Sequence, residues 1–254
     1  MLERTDAGSV TTLRLAHGKA SVLDLELAEG LALALAELAA SETKAVLLTG
    51  TGSIFSAGVD LFRIADGGAE YAERFYGALC RLMLDLFAFP KPLIVAANGH
   101  AIAGGCIFTL AGDYRLMAAG TGRIGMPELL VGVPFPPSVL EAVRFAVPPQ
   151  HLQMLIYTGR TVTPDEALRF GLIDEIVPPE TFSARAEEMA RHFAALPEHA
   201  FALAKRQLRA KTIDRARSYA HQLDPDNRAL WADPSTHTRI REYLAKTIKK
   251  KSEG

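Results

Sequence analysis

Apolar positions in the first half of the chain follow two patterns, one typical of strands and one typical of helices. VTTLRL at 10–15 alternates apolar and polar residues, which predicts a half-buried strand. KAVLLTG at 44–50 and PLIVAAN at 92–98 are continuous apolar runs, as expected of strands buried on both faces. Further elements are predicted over 24–40, 70–88 and 103–112 as helices and over 114–119 as a strand. Strands alternate with helical crossovers, and the sequence predicts an α/β first half.

The second half of the chain has mainly helical periodicity. Thr163, Pro164 and Glu166 have the order of an N-cap, a first helical proline and a capping-box glutamate. GLIDEIVP at 171–178 predicts a short extended return. Helices are predicted over 137–146, 150–158, 164–170, 181–196, 198–210 and on to about 248, with a break at LDPDN. We therefore divide the chain into an α/β core over 1–195 and a helical region over 196–254, whose polar helices we expect to pack on a neighbouring subunit.

Composition places the chain among ordinary soluble globular proteins. Its 254 residues are 49% apolar and 22% charged. The 28 basic and 29 acidic residues nearly balance, so we expect neither nucleic acid nor an anionic membrane as a partner. No stretch reaches the roughly 18 consecutive apolar residues of a membrane span. The N-terminal MLERTDAGSV lacks the features of a signal or transit peptide, and a cytoplasmic protein is the expectation.

Cysteine and histidine usage gives no sign of a metal site. Cys80 and Cys106 lie in apolar segments and are expected to be reduced core thiols. The cysteines and histidines lack metal-ligand spacing, so no metal is predicted. The phosphate-loop patterns and the GxSxG nucleophile elbow are also absent from the sequence.

Two glycine-containing stretches, IFSAGVDL at 54–61 and HAIAGGCI at 100–107, place small residues directly after predicted strands. Small side chains let a ligand approach the backbone, and helix N-termini present N–H groups with partial positive charge. Two such N–H groups from separate loops could form an oxyanion hole. The alternative is that these glycines serve tight turns and close packing of helix on strand, and local sequence by itself favours that alternative.

Glu128 is the acid with the most unusual surroundings. It lies in RIGMPELLVGV, between Met126 and Pro127 on one side and Leu129 to Val131 on the other. Apolar surroundings disfavour the charged carboxylate and raise its pKa toward that of a general base at neutral pH. The alternative is that Glu128 serves the N-terminal end of a helix.

Other polar residues near these stretches are expected to have structural roles. Asp60 is expected to cap or brace its loop, and Asp113, beside Arg115, to form a structural ion pair. His100 is expected to be a turn residue with a satisfied ring. The tail KTIKKK at 246–251 is either a solvated end or a holder of an anionic group such as a phosphorylated cofactor tail.

Four stretches in the same order resemble the motifs of the crotonase (enoyl-CoA hydratase/isomerase) superfamily. They are FSAGVDL, NGHAIAGGC, GRIGMPELLVGV and TGRTVTPDEALRFGLIDEIVP. The resemblance implies a spiral of ββα units followed by a helical trimerisation region, in a homotrimer or a dimer of trimers. It implies an acyl-CoA substrate, with coenzyme A bound as part of that substrate and no tightly bound cofactor.

The same resemblance implies roles for individual residues. The N–H groups of Val59 and Gly104 would hold the thioester carbonyl, and Glu128 would be the catalytic acid or base. The residues on the coenzyme A side of the pocket would be Ala57, Gly58, Val59, Asp60 and Leu61.

One position departs from the pattern of hydratases in the family. Those enzymes place a glutamate three residues after the oxyanion glycine, and Ile107 occupies that position here. With Glu128 as the single acid, the pattern is most similar to the mitochondrial-type Δ3,Δ2-enoyl-CoA isomerase branch. Such an enzyme would move a double bond from C3 to C2 through a thioester enolate. A hydratase, a hydrolase or lyase of the family, and a non-catalytic acyl-CoA-binding subunit remain as alternatives.

Overall fold

The structure is a computed structural model that describes the backbone of residues 1–252 and the side chains of residues 1–247. The strands are β1 (Leu2–Ala7), β2 (Val10–Leu15), β3 (Ala45–Thr49), β4 (Ile54–Ser56), β5 (Leu93–Ala97), β6 (His100–Ile102), β7 (Tyr114–Ala118), β8 (Ile124–Gly125), β9 (Thr161–Val162) and β10 (Glu175–Val177). The helices are α1 (Leu25–Ala39), α2 (Leu61–Ala88), α3 (Gly104–Ala111), α4 (Glu128–Val131), α5 (Pro137–Ala146), α6 (Pro149–Thr158), α7 (Pro164–Arg169), α8 (Phe182–Ala194), α9 (Glu198–Ala232) and α10 (Pro234–Ser252).

Two sheets are built from a repeated ββα unit. The large sheet has the order β1-β2-β3-β5-β7-β10, and the small sheet has the order β4-β6-β8-β9. The first strand of each unit joins the large sheet and the second joins the small one, in β3-β4-α2, β5-β6-α3 and β7-β8-α4. The predicted α/β fold with a spiral of ββα units is confirmed.

Both faces of the large sheet are buried at the central strands β3 and β5, which explains their continuous apolar runs. Leu47 and Ile94 point to a smaller apolar cluster that includes Phe182 and Ala186 of α8. Leu48 and Val95 point to the larger cluster. Because side chains alternate between faces, a strand covered on both sides requires an apolar residue at almost every position.

Helix boundaries are predicted best where the sequence contains capping residues. Thr163 caps α7 in a full capping box with Glu166, and Pro164 is at the first helical position. Strand β1 was not predicted from the sequence, although it pairs antiparallel with β2 along its whole length. The helix predicted over 70–88 is the part of α2 beyond Gly68, whose φ of 71° and ψ of −171° kink the helix. The part before the kink was not predicted; there Asp60 caps α2 and accepts a hydrogen bond from the Arg63 N–H at 3.1 Å.

The predicted break at LDPDN is also wrong, because α9 continues through Pro225. The preceding residue, Asp224, accepts a hydrogen bond of 2.6 Å from the buried Tyr76 hydroxyl. Farther on, Trp231 is buried against the rest of the chain. These tertiary contacts outweigh the local cost of a proline inside a helix. The break falls at Asp233, between α9 and α10.

The C-terminal helices cover their own chain. Helix α9 packs against α2 and α5, and α10 packs against α2. Trp231 and Ile240 are both buried in the larger apolar cluster. These polar helices therefore pack on their own chain, and the expectation that they also pack on a neighbouring subunit stays a prediction. None of the helices in the described part of the chain is long and apolar enough to cross a membrane.

A buried ion cluster fastens α9 to the core. The two carboxylate oxygens of Asp113 accept hydrogen bonds from Lys205 at 2.6 Å and Arg209 at 2.8 Å. Arg209 also donates to the carbonyls of Ala111 and Gly112 at the end of α3. The predicted structural ion pair at Asp113 is confirmed, but its partners are these two cations, whereas the neighbouring Arg115 pairs with Asp174.

Removing the Asp113 charge should destabilise the protein strongly. Burial lowers the pKa of Lys205 to about 8, although Asp113 raises it, so the cations depend on this carboxylate. We expect Asp113→Asn to cost about 3–5 kcal/mol of unfolding free energy, the usual effect of leaving buried charge unpaired. Urea denaturation measures this cost. The matched control is Glu187→Gln, which breaks an exposed pair with Arg191 and should cost under about 1 kcal/mol. Equal costs for the two variants would contradict the prediction.

Candidate active site

A cavity of about 100 Å³ lies where the loops after β4, β6 and β8 meet the C-terminal helices. Its walls come from the residues before α2, the start of α3, helix α4 and the segment that follows it, together with α9 and α10. Six of the residues predicted for the site line it, namely Ala57, Val59, Leu61, Gly104, Ile107 and Glu128. The remaining two, Gly58 and Asp60, are not among the lining residues.

The first loop presents the Val59 N–H from a fixed backbone. The Leu23 N–H donates to the Gly58 carbonyl at 2.7 Å, and the Asp60 N–H donates to the Leu23 carbonyl at 2.9 Å. These two bonds lie on either side of Val59 in a short parallel bridge with Leu23. The bridge fixes the loop. Its two hydrogen bonds do not use the Val59 N–H, which therefore remains free to bind a ligand.

The second loop presents the N-terminus of α3. Ala103 has φ of 50°, a conformation that is strained for a residue with a side chain, and its N–H donates to the Gly125 carbonyl at 2.8 Å. The turn at Ala103 aims the first turn of α3 at the cavity. The N–H of Ile107 makes the first helical bond, to the Ala103 carbonyl, so the Gly104 N–H precedes the hydrogen-bonded part of the helix.

The glycines of the two loops serve different purposes. A Cβ on Gly58 would lie 2.6 Å from the Ala103 Cβ, and one on Gly105 would lie 2.4 Å from the Ser56 carbonyl oxygen. Close packing therefore requires glycine at both of these positions. At Gly104 the nearest atom to a Cβ would be Leu23 Cδ2 at an ordinary 3.4 Å, so packing does not require glycine there. Gly104 itself lines the cavity and is the first residue of α3.

The two loops are in direct contact. A Cβ placed on Gly104 would lie 3.6 Å from the Gly58 Cα and 3.9 Å from the Gly58 carbonyl carbon, to which the Val59 nitrogen is bonded. The backbone of Val59 therefore adjoins that of Gly104, and both residues face one cavity. Two N–H groups in this arrangement can stabilise a developing oxyanion.

Glu128 is the first residue of the four-residue helix α4 and lies buried in the cavity wall. Its carbonyl accepts hydrogen bonds from the N–H groups of Gly132 and Val133, which fix the backbone of this turn. Its Oε2 is buried and has no hydrogen-bond partner in the described part of the chain. Burial raises the pKa of Glu128 to about 8, although a hydrogen bond with its own backbone N–H lowers it.

The surroundings of Glu128 are apolar. Ile107 is buried and lines the cavity at the position that the sequence comparison with hydratases had marked for a second acid. Glu128 is the one acidic side chain among the described residues that line this cavity. The thiol of Cys106 lies behind it, fully buried, and both burial and the nearby Glu128 raise the pKa of that thiol. The arrangement can therefore move a proton in a dry site next to an oxyanion hole.

The cavity residues that the sequence did not predict include two aromatic ones, Trp231 and Tyr243. Both come from the C-terminal helices, about a hundred residues beyond Glu128 in the chain. The single tryptophan in a polar helix was the available signal, because a large aromatic side chain in such a helix is usually buried.

The other predicted polar residues have structural positions. Asp60 caps α2, as the sequence predicted. The ring Nδ1 of His100 accepts a hydrogen bond from the Arg123 N–H at 3.1 Å, so its ring is satisfied as expected. For the KTIKKK tail at 246–251, the side chains from residue 248 onward lie outside the described residues. In the described part of the chain, no cluster of three or more His, Cys, Asp or Glu side chains could hold a metal ion.

Comparison with known proteins agrees with the fold and shows the family. The family model described as enoyl-CoA hydratase/isomerase matches residues 5–246. The chain is 29% identical over 218 residues to the mitochondrial enoyl-CoA delta isomerase 1 of Rattus norvegicus, a match that covers 84% of this chain and 75% of that protein. It is 38% identical over 179 residues to a Thermus thermophilus protein named as an enoyl-CoA hydratase, covering 67% and 70% of the two chains.

The fold extends this likeness over almost the whole chain. The crystal structure of human mitochondrial delta3-delta2-enoyl-CoA isomerase superposes with a TM-score of 0.92 at 25% identity, covering 98% of this chain and 99% of that one. The chain belongs to the enoyl-CoA hydratase/isomerase family and is an enzyme of that family with the crotonase fold. Because the relatives include proteins named as isomerases and as hydratases, the family match does not distinguish these two reactions, and the residues of the site must be considered.

Ionisation of Glu128 should make the folded protein less stable as the pH rises. Its folded pKa of about 8 lies above the ordinary value of 4.5, so the folded state holds the proton more tightly than the unfolded state between these limits. Wild-type stability should therefore fall relative to Glu128→Gln as the pH rises from about 5 to 8, by at most about 1.4 kcal/mol per pH unit. Urea denaturation at each pH measures the difference.

The control for this prediction is Glu180→Gln, which changes an exposed carboxylate. Its stability difference from the wild type should stay constant over the same pH range. A constant difference for Glu128→Gln as well would mean that Glu128 ionises as freely as an exposed glutamate, contrary to its burial.

Substitution of the two neighbouring glycines should show which of them the packing requires. Gly105→Ala would press a methyl group against the Ser56 carbonyl and should cost about 1–3 kcal/mol of stability. In Gly104→Ala the added methyl group meets Leu23 and Gly58 at ordinary distances, and the variant should cost under about 0.5 kcal/mol. Thermal unfolding of the two variants measures these costs. Equal costs at the two positions would contradict the prediction.

Proposed function

We propose that this enzyme is a Δ3,Δ2-enoyl-CoA isomerase with Glu128 as its single proton carrier. The observation that carries the proposal is one buried carboxyl group in an otherwise apolar cavity, with Ile107 where hydratases of the family have a second glutamate. Hydration requires an ordered water molecule, and a single carboxylate with an isoleucine beside it provides little to hold one. A double-bond shift requires only one base that gives its proton back.

The reaction would begin with proton removal. Ionised Glu128 takes a proton from C2 of a 3-enoyl-CoA, and negative charge moves to the thioester oxygen. The N–H groups of Val59 and Gly104 hold that oxygen, and each such donor typically contributes about 3–4 kcal/mol to the transition state. Protonated Glu128 then returns the proton to C4, which gives the conjugated trans-2-enoyl-CoA.

The raised pKa of Glu128 suits a residue that must act first as a base and then as an acid. A base must be ionised to take the proton from C2 and, once protonated, must give it to C4. A pKa of about 8 keeps both forms accessible near neutral pH, whereas an ordinary carboxylate with a pKa near 4.5 would be a much weaker base. The apolar walls that raise the pKa also exclude water, which limits hydration of the product.

Hydration of trans-2-enoyl-CoA by Glu128 alone is the second candidate. The 38% identity to a protein named as an enoyl-CoA hydratase favours it. Coenzyme A would enter in either case as part of the substrate, over the loop from Ala57 to Leu61. No tightly bound cofactor is needed for either reaction.

We further propose that the enzyme is a homotrimer or a dimer of trimers. Large apolar side chains are exposed next to the site, on the outer side of α4 and at the end of α6. Leu130 is 57% exposed and Tyr157 is 69% exposed, and Gly159 lies against Leu130, so these residues share one surface. Apolar surface of this kind is typical of subunit contacts.

The absorbance of the conjugated enoyl thioester tests the reaction. Purified protein should raise this absorbance when given a 3-enoyl-CoA and leave it nearly unchanged when given a trans-2-enoyl-CoA. A falling absorbance with the second substrate would identify a hydratase instead. An acyl-CoA-binding protein without catalysis would change neither trace.

Glu128→Gln should lower turnover by at least about 100-fold while acyl-CoA binding persists, because it removes the base and keeps the shape of the site. In the wild type, kcat/KM should rise with pH and level off above about 8, since the ionised form of Glu128 is the reactive one. Glu180→Gln is again the control and should keep the wild-type profile. A profile already flat from pH 6 would exclude Glu128 as a base with a raised pKa.

A further inference from the structure

The C-terminal helices contribute part of the cavity wall. Trp231, at the end of α9, is 2% exposed and lines the cavity together with Tyr243 of α10 and Leu79 of α2. Its ring packs against Phe75 and Tyr76, in the part of α2 beyond the kink. Val59, by contrast, precedes the first residue of α2. A thioester held at Val59 would therefore direct its acyl chain toward Trp231.

The indole of Trp231 is fixed in place from several sides. Its N–H donates a hydrogen bond of 3.2 Å to the carbonyl of Pro134, which lines the same cavity. The ring centroids of Phe75 and Tyr76 lie 6.0 Å and 6.1 Å from the indole. Arg228 in turn covers the ring of Tyr76 at 4.8 Å. An acyl chain could not turn the indole aside without breaking the hydrogen bond to Pro134.

The backbone of Trp231 is held as well. The buried ring Nε2 of His237 hydrogen-bonds to the Trp231 carbonyl at 2.9 Å, and the His237 N–H donates to Asp233 at 3.2 Å. These contacts join the end of α9 to the start of α10. The wall is therefore a fixed part of the fold and not a loose side chain.

The free space in front of this wall is small. The cavity holds about 100 Å³, less than the roughly 150 Å³ of an apolar cavity that binds benzene. A chain of twelve carbons does not fit in that volume unless the wall moves. We propose that Trp231 ends the acyl pocket and limits this enzyme to short acyl chains, of six carbons at most, an inference that rests on the proposed action on acyl-CoA esters.

Chain-length selectivity tests this inference directly. We would measure kcat/KM with 3-hexenoyl-CoA and with 3-dodecenoyl-CoA for the wild type, Trp231→Ala and Leu230→Ala. The wild type should prefer the six-carbon substrate by at least tenfold. Trp231→Ala should shift the ratio toward the twelve-carbon substrate by at least tenfold. The ratio is taken within one protein, so a loss of active enzyme cancels.

Leu230→Ala is the matched control, because Leu230 adjoins Trp231 in sequence but is 49% exposed and does not line the cavity. It should keep the wild-type ratio. A wild type that prefers the twelve-carbon substrate, or a Trp231→Ala variant with an unchanged ratio, would overturn the inference. If Trp231→Ala does not fold, Trp231→Phe should shift the preference toward an eight-carbon substrate, and an unchanged preference would overturn the inference equally.

Binding of unreactive esters separates this inference from the proposed reaction. Calorimetric titration with hexanoyl-CoA and dodecanoyl-CoA reports chain-length preference without any turnover. A preference for hexanoyl-CoA that Trp231→Ala reverses would support the role of Trp231, even if no 3-enoyl-CoA is isomerised. Isomerisation with equal binding of both esters in the wild type would leave the proposed function standing and refute the role of Trp231.

Discussion

The protein depends on keeping the Glu128 carboxyl group out of water without giving it a partner. Burial raises its pKa to about 8 and leaves Oε2 without a hydrogen bond in the described part of the chain. A buried polar group without a partner costs folding free energy, so the surrounding structure must hold it there. The apolar packing of Ile107 and the closure of the cavity by Trp231 do so. The same dryness makes the carboxylate a usable base, and stability is traded for reactivity at this one residue.

The short helix α3 connects the cavity at its N-terminal end with the buried ion cluster at its C-terminal end. The N-terminal end of α3 presents Gly104 to the cavity, and its C-terminal carbonyls at Ala111 and Gly112 accept hydrogen bonds from Arg209. Arg209 belongs to α9, which goes on to supply Trp231 to the same cavity. The buried ion cluster therefore joins the oxyanion loop to the wall of the acyl pocket through a single rigid path. Loss of the ion cluster would therefore disturb both the oxyanion loop at Gly104 and the cavity wall at Trp231.

The family alone does not choose the reaction. Relatives named as isomerases and as hydratases match the chain, and the fold is common to both. The two loops, with their converging backbone N–H groups, serve any chemistry that passes through a thioester enolate. What differs is the number of acids facing the substrate. Ile107 in place of a second glutamate is thus the most informative single residue in the sequence, because it changes what the site can hold and not how the chain folds.

Sequence by itself determined the elements whose signals are local. The buried strands β3 and β5, the capping box at Thr163 and the small residues of the two loops all result from neighbouring residues, and the structure has them as predicted. The apolar flanks of Glu128 do not all surround it, since Leu129 and Leu130 are exposed, and its apolar surroundings come largely from distant residues such as Ile107. Tertiary structure alone decided the passage of α9 through Pro225, the pairing of Asp113 with two distant cations and the position of Trp231 in the cavity. The physical reason is distance along the chain. Periodicity and capping act over a few residues, whereas these contacts join segments about a hundred residues apart, whose meeting is fixed only when the whole core packs.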